Sequence, residues 1–284
     1  MWSGYLVNMR IFENFASLLK SKYGIWFFLA SVVMIQAIFV YCVSNGFFNL
    51  DKYYAMGRFY ILLILALSFT FVCAGFSGVV DLFRSMLVWR VAIGWYFFAI
   101  FYLIIIAFGI LVFMNMMDGE ALKSIPLDLT LFERPRWIYG IVLNSVVEEV
   151  VWVSLVLTVL QKRFSVFVSS QILAVFWFLW WVPVILYGRA VIPDLPLSIL
   201  WFHYLGIAAT CAWVYHFTKS GLIVVLMQIV TNAISMVVPI LPHLSDFNTY
   251  AIFIFGKFAF IVLMFAIFGP KPIFRRVRNE AKAA

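Results

Sequence analysis

Two adjacent glutamates interrupt an otherwise apolar stretch of the chain. Glu148 and Glu149 lie within residues 144–152, where Val predominates. A carboxylate at membrane depth costs at least a few kcal/mol unless it is protonated, paired or hydrated. Adjacent helical residues point about 100° apart, so we expect one glutamate to face a central cavity and the other to make a structural hydrogen bond. Both are candidates for acid–base chemistry, and the competing interpretation is a pair that braces neighbouring helices.

Other polar side chains occur at membrane depth in later apolar stretches. Gln228 and Asn232 are four residues apart and share one helix face, where hydrogen bonding between helices is the ordinary role. Lys257 lies among phenylalanines. We expect it to extend toward the membrane surface, with pairing to a glutamate as the alternative. The histidines fall near predicted helix ends or in a loop, and we interpret them as interfacial rather than catalytic. They are His203, His216 and His243.

The composition identifies the medium in which these polar groups lie. The chain has 284 residues, of which 66% are hydrophobic and 11% charged. Soluble globular proteins are about 45–50% apolar and about 25% charged, so a soluble enzyme, a disordered protein and a disulfide scaffold are excluded. The apolar runs are continuous rather than alternating, which argues against a β-barrel. We therefore predict an all-α fold, a polytopic transmembrane helical bundle.

Eight stretches are apolar over a length that suits a spanning helix, which needs about 20 residues. With the N-terminus inside, most Lys and Arg residues fall in cytoplasmic segments, so we predict that both termini are cytoplasmic. Arg58 belongs to the minority assigned to outer loops. The predicted spans are 24–43, 58–80, 92–115, 137–160, 164–187, 197–217, 220–240 and 249–268.

The predicted bundle covers residues 24–270. Residues 1–23 precede it as an interfacial segment, and residues 271–284 follow as a basic cytoplasmic tail. We interpret the net charge of +8 as basic surface loops on a cell membrane, the prokaryotic cytoplasmic membrane, and not as a nucleic-acid site. The three cysteines lack metal-ligand spacing, so we predict neither a metal nor a cofactor.

Several segments beyond the glutamate pair carry a resemblance to a known family. Residues 82–91, 176–183 and 215–221 keep the order and spacing of its motif segments. Over about residues 80–240 the chain resembles the CAAX protease and bacteriocin-processing enzyme family, also called CPBP or Abi. The resemblance implies an intramembrane endopeptidase in which a glutamate, assisted by histidine, activates water to attack a peptide carbonyl. Histidine and asparagine stabilise the oxyanion.

The family pattern is Glu-Glu-x-x-x-Arg, then Phe-x-x-x-His, then His-x-x-x-Asn or Asp, and this chain keeps part of it. Glu148, Glu149 and Asn232 are retained. The arginine and the two histidines are replaced. Their positions are occupied by Val153, Trp181 and Gln228.

Three functions remain open at this point. The replacements favour a catalytically impaired family member that acts as a scaffold, an immunity protein or a partner-binding protein. The first alternative is an active glutamate-dependent endopeptidase of CAAX or peptide-maturation type, with Glu148 as base and Asn232 and Gln228 as donors to the oxyanion. The second is a small transporter in which the glutamate pair and Lys257 form a proton- or cation-linked site. Expected partners are the lipid bilayer and a membrane or peptide partner.

Overall fold

The computed structural model describes residues 19–21, 23–47, 54–117, 127–190, 192, 194–242 and 246–269. Within these residues the fold is all-α, with eight long helices. Most of the predicted interfacial segment 1–23 and all of the predicted tail 271–284 lie outside the described residues, as does His243. The helices are α1 (Gly24–Ser44), α2 (Tyr54–Leu87), α3 (Ile93–Met117), α4 (Pro135–Leu160), α5 (Val166–Leu186), α6 (Leu197–Thr218), α7 (Gly221–Val237) and α8 (Phe247–Phe268).

Seven of the eight helices are long and apolar enough to cross a membrane, so the chain is a multi-pass membrane protein. The exception is α7, which has 17 residues where the sequence predicts a span over 220–240. At 1.5 Å per residue α7 is about 26 Å long, somewhat less than the hydrocarbon core of about 30 Å. It ends early because Pro239 and Pro242 follow closely and proline interrupts helical hydrogen bonding.

The centre of the bundle is formed by α4 and α6, the two most buried of the seven spans. α6 packs most extensively against α5 and α8, and α4 contacts α2, α5, α6 and α7. The glutamate pair on α4 is therefore surrounded by protein on several sides.

The connection between α6 and α7 is very short. Lys219 ends α6 in the left-handed conformation with φ of 52°. Ser220 then caps α7, its Oγ accepting a hydrogen bond from the Ile223 backbone N–H at 3.2 Å. The same hydroxyl donates to the Val88 carbonyl after α2. These contacts hold the first turn of α7 in place beside α4.

α4 changes its winding at the glutamate pair. Residues Pro135–Glu148 form a regular α-helix, and residues Glu149–Leu157 form a wider π-helix. In a π-helix the backbone bonds link residues five apart. Ser154 accordingly reaches Glu149, five residues earlier, through its side chain. Such segments are rare and occur frequently at functional sites.

Candidate functional site

Glu148 on α4 is buried against α5. Its Oε1 accepts a hydrogen bond from Nε1 of Trp177 on α5 at 3.3 Å. Arg58 on α2 interacts electrostatically with the same carboxyl group. Glu148 is thus bound by one neutral donor, while the cation of Arg58 acts on it without an ion-pair contact among the described residues.

Arg58 is enclosed by aromatic rings near the start of α2, and 4% of it is exposed. Its Cζ lies 4.2 Å from the ring centroid of Trp181 and 4.8 Å from that of Trp180, distances at which an aromatic face attracts a cation. Its assignment to an outer loop is therefore wrong. α2 begins at Tyr54, so Arg58 lies inside a helix whose aromatic neighbours cover it.

Glu149 is held by hydroxyl groups on the other side of α4. Its Oε1 accepts from Oγ of Ser85 at 3.2 Å and from Oγ of Ser154 at 2.8 Å. Gly221, the first residue of α7, lies so close that a Cβ there would collide with Glu149 Oε1 and Ser85 Oγ. The start of a helix carries a partial positive charge, which favours a nearby carboxylate.

The two amides predicted on one face of α7 meet different surroundings. Asn232 Nδ2 donates to Ser145 Oγ on α4 at 3.5 Å. Ser145 lies one helical turn before the glutamate pair, so this contact brings Asn232 to the same region of α4. Gln228 is buried, and neither its Nε2 nor its Oε1 has a hydrogen-bond partner among the described residues.

The two remaining motif positions carry no proton-transfer group. Val153 is buried in the π-helical part of α4, where its carbonyl accepts from Thr158 Oγ1 at 3.2 Å. Trp181 presents its ring to Arg58, and its Nε1 has no partner within the described chain. The arginine and first histidine positions of the motif are thus occupied by an aliphatic group and by a ring that binds a cation.

Lys257 lies neither at the membrane surface nor beside a glutamate, so both expectations for it are wrong. It is 1% exposed, and its Nζ lies 3.2 Å from Nδ1 of His203 on α6. Gly206 on α6 packs against it, and a Cβ at that position would lie 3.5 Å from Lys257 Cε, an ordinary van der Waals contact. His203 is therefore engaged away from the glutamate pair.

Several residues of this region were not predicted as site residues. Ser85, Ser154 and Trp177 are common residue types whose partners become visible only when the helices are packed. Arg58 offered a signal, because it occurs in an aromatic stretch, Tyr54 to Tyr60, that lacks an acidic residue. The described residues contain no group of three His, Cys, Asp or Glu side chains arranged to hold a metal ion.

Comparison with known families agrees with the residues at this site. Residues 130–234 match the family described as Type II CAAX prenyl endopeptidase Rce1-like. The chain therefore contains a domain of the Rce1-like (CPBP/Abi) family, which confirms the predicted resemblance. No curated protein sequence matches the chain. The matched region includes Glu148, Glu149, Trp181, Gln228 and Asn232.

Proposed function

We propose that this Rce1-like membrane protein is catalytically impaired and binds a membrane-embedded peptide partner at the glutamate pair without cleaving it. The observation that carries the proposal is the ring of Trp181, at the motif's first histidine position, which lies 4.2 Å from Cζ of Arg58. An indole offers one N–H and does not exchange protons near neutral pH. Removing a general acid or base lowers a rate by about 10²–10⁴-fold.

The second histidine position supports the same conclusion. Gln228 is an amide, which donates and accepts hydrogen bonds without transferring a proton. Within the described chain, His203 contacts Lys257 instead of Glu148. Gln228 retains an N–H donor, so what this position loses is the ionisable imidazole, and losses within one catalytic site do not simply multiply.

Binding of a peptide is supported by the unsatisfied amide of Gln228. Its donor and its acceptor are both buried without a partner among the described residues. A buried polar group left in this state costs about 1–3 kcal/mol. A peptide backbone presents one N–H and one carbonyl, which together complement a side-chain amide.

Cleavage is tested with the purified protein in lipid vesicles and a prenylated peptide that ends in a CAAX sequence. We expect mass spectrometry to detect no more product with the natural protein than with Glu148→Gln. Cleavage by the natural protein that this substitution abolishes would contradict the proposal and support the active endopeptidase.

Binding is tested separately by photo-crosslinking the same peptide in vesicles. We expect Gln228→Leu to lower crosslinking about tenfold, the effect of one hydrogen bond of about 1.4 kcal/mol. Gln36 on α1 is the matched control, because its amide is equally buried and also lacks a partner in the described residues. An equal loss with Gln36→Leu, or no loss with Gln228→Leu, refutes peptide binding at this site.

A second function, transport linked to a proton or cation, is favoured by one observation. Lys257 is buried within the bundle instead of at the membrane surface. Buried ionisable residues line ion pathways in many transporters. Proton movement across the vesicle membrane, followed with a pH-sensitive dye, should then depend on Lys257. Equal rates of proton movement for the natural protein and Lys257→Met would eliminate this function.

The orientation that we propose, with both termini cytoplasmic in the prokaryotic cytoplasmic membrane, depends on α7. An even number of crossings leaves the termini on one side, whereas the seven long spans alone would separate them. The proposal is supported by the distribution of Lys and Arg. Reporter domains fused to each end in turn test it, and opposite locations would show that α7 does not cross.

A further inference from the structure

We infer that Arg58 is the centre of a binding site for a carboxylate group carried by an apolar ligand. Tyr54 and Trp181 belong to the same site. The inference does not depend on whether the chain binds or cleaves a peptide at the glutamate pair. Arg58 and Tyr54 precede the matched region 130–234, so the match to the family does not include them.

Arg58 is a buried cation whose hydrogen-bonding capacity is unused. It is 4% exposed, and neither its Nε nor its Nη1 has a hydrogen-bond partner among the described residues. A guanidinium stays protonated in proteins, so this side chain carries a full positive charge within the bundle. A buried charge is costly unless an anion and hydrogen bonds compensate it. The donors of Arg58 therefore indicate a site for an anion.

The described part of the chain supplies no carboxylate in contact with Arg58. The ion pair found in this part joins Arg84 to Asp81 at the end of α2. Glu148 accepts a hydrogen bond from Trp177 and acts on Arg58 without an ion-pair contact among the described residues. We therefore expect a ligand to provide the anion that completes the surroundings of the guanidinium.

Two further hydrogen-bond donors belong to rings that flank the guanidinium. Cζ of Arg58 lies 4.2 Å from the ring centroid of Trp181 and 5.6 Å from that of Tyr54. Nε1 of Trp181 and Oη of Tyr54 are both buried, and neither has a hydrogen-bond partner in the described chain. Neighbouring side chains thus combine one positive charge with several unused N–H and O–H donors.

The chemistry of this site favours a carboxylate on an apolar body. The planar fork of a guanidinium binds both oxygens of a carboxylate, which carries the single negative charge that neutralises it. The rings of Phe59 and Trp180 also lie near Arg58, with centroids 5.1 and 4.8 Å from its Cζ, and offer apolar contact. Tyr54 and Trp181 are only partly buried, so the aromatic enclosure is open at its edge. The C-terminus of a hydrophobic peptide and a fatty acid both carry such a group.

The site is tested with hexanoate as the probe and hexanamide as its neutral counterpart, each added to the full chain in micelles. A ligand that binds the folded state raises the melting temperature, and the dependence on its concentration gives the dissociation constant. We expect hexanoate to bind about tenfold more tightly than hexanamide, because hydrogen bonds to an ionised group are the stronger ones. Equal binding of the two probes would overturn the inference.

Removal of the charge should abolish this preference. Arg58→Gln should weaken hexanoate binding about tenfold and leave hexanamide binding unchanged. Arg134→Gln is the matched control, because Cζ of Arg134 lies 5.3 Å from the ring centroid of Trp137, yet Arg134 is exposed. An unchanged preference in Arg58→Gln, or an equal loss in Arg134→Gln, would contradict the site.

A hydroxyl variant keeps the test decisive if Arg58→Gln folds poorly. Tyr54→Phe retains the ring beside Arg58 and removes one donor, so hexanoate binding should weaken about tenfold. Tyr102→Phe on α3 is the control, because Tyr102 is also buried and its ring stacks on that of Phe98 at 4.9 Å. Unchanged binding in Tyr54→Phe, or the same loss in Tyr102→Phe, would refute the assignment of Tyr54 to the site.

Photo-crosslinking in vesicles distinguishes the two sources of the carboxylate. One pair of probes is the prenylated peptide used above and its C-terminal amide, and the other is a photoreactive fatty acid and its primary amide. We expect the natural protein to prefer the acid form in one pair by about tenfold, and Arg58→Gln to lose that preference. No preference in either pair would overturn the inference. Failure of both peptide forms to crosslink, with the fatty acid still preferred over its amide, would refute peptide binding at the glutamate pair but support the carboxylate site.

Discussion

Glu148 and Glu149 are the same residue type one position apart, yet α4 presents them to different partners. Glu148 meets an indole N–H from α5 and the cation of Arg58 from α2. Glu149 meets two hydroxyl groups and the first residue of α7. One carboxyl group is thus accompanied by a full charge, and the other by dipoles.

The different surroundings of the two buried acids indicate different roles for them. Charges of opposite sign inside a protein stabilise each other, and removing one of them leaves the other less compensated. When a carboxyl group bound by hydroxyls is replaced with an amide, the hydroxyls keep a hydrogen-bond acceptor, so the loss of stability is smaller. Glu149 therefore suits a structural role where α4 meets α7. Glu148 suits a site whose function depends on the charge of its carboxyl group.

The largest effect should come from removing the charge at Glu148. We expect Glu148→Gln to lower the free energy of unfolding by about 3 kcal/mol, because the buried Arg58 then loses the acidic residue that interacts with it electrostatically. Glu149→Gln should lower it by about 1 kcal/mol, since only the helix-dipole contribution is lost and Oε1 still accepts hydrogen bonds. Denaturant titration in micelles measures both values. Equal losses would contradict the contrast between the two glutamates.

The next effect concerns the close approach of α7 to Glu149. Gly221→Ala should destabilise the protein by about 2 kcal/mol, because the added methyl group collides with Glu149 Oε1 and Ser85 Oγ. Gly109→Ala on α3 is the control, since no atom lies within 4 Å of the added Cβ there. Thermal unfolding of both variants compares them. A smaller loss of stability for Gly221→Ala than for Gly109→Ala would show that α7 does not pack closely against Glu149.

A smaller effect should follow from removing one hydroxyl donor. Ser154→Ala removes the 2.8 Å bond to Glu149, and we expect a loss of about 1 kcal/mol because Ser85 still donates. Ser77→Ala, at an exposed hydroxyl on α2, should change stability less. The same unfolding titration measures this difference, and a loss as large as that of Glu148→Gln would indicate that Glu149 carries the decisive charge.

The smallest effect is expected at Lys257. Lys257→Met should change the free energy of unfolding by less than about 1 kcal/mol, because its contact among the described residues is the imidazole of His203 and not a carboxylate. Methionine fills a similar volume and avoids burying an ammonium group. A loss near that of Glu148→Gln would reveal a second site whose buried charge stabilises the protein and would favour the transport function.

Much of the fold was predictable from hydropathy along the chain. The predicted span 24–43 corresponds to Gly24–Ser44, and 197–217 corresponds to Leu197–Thr218. The burial of Glu148 and Glu149 was predictable too, because both interrupt a long apolar stretch. Gln228 and Asn232 were predicted to lie in one span and, from their spacing, on one face of it, and α7 contains both.

The partners of these residues were not predictable in the same way. Arg58 was assigned to a loop, and Lys257 to the membrane surface or a glutamate, yet both are buried against aromatic or imidazole groups. In a membrane protein the lipid and the protein interior are similarly apolar, so hydropathy does not reveal which side of a helix faces inward. The hydrogen bond to Glu148 comes from Trp177 on α5, 29 residues further along the chain.

The sequence by itself determined that the chain lies in a membrane, where its helices run and which two acids interrupt them. It did so because transfer free energies and helix periodicity act locally along the chain. Only the tertiary structure decided that Arg58 accompanies Glu148, that serines and Gly221 enclose Glu149, and that Lys257 meets His203. These contacts depend on the rotation of each helix about its axis and on the π-helical turn that begins at Glu149. Both are set by packing between helices distant in sequence.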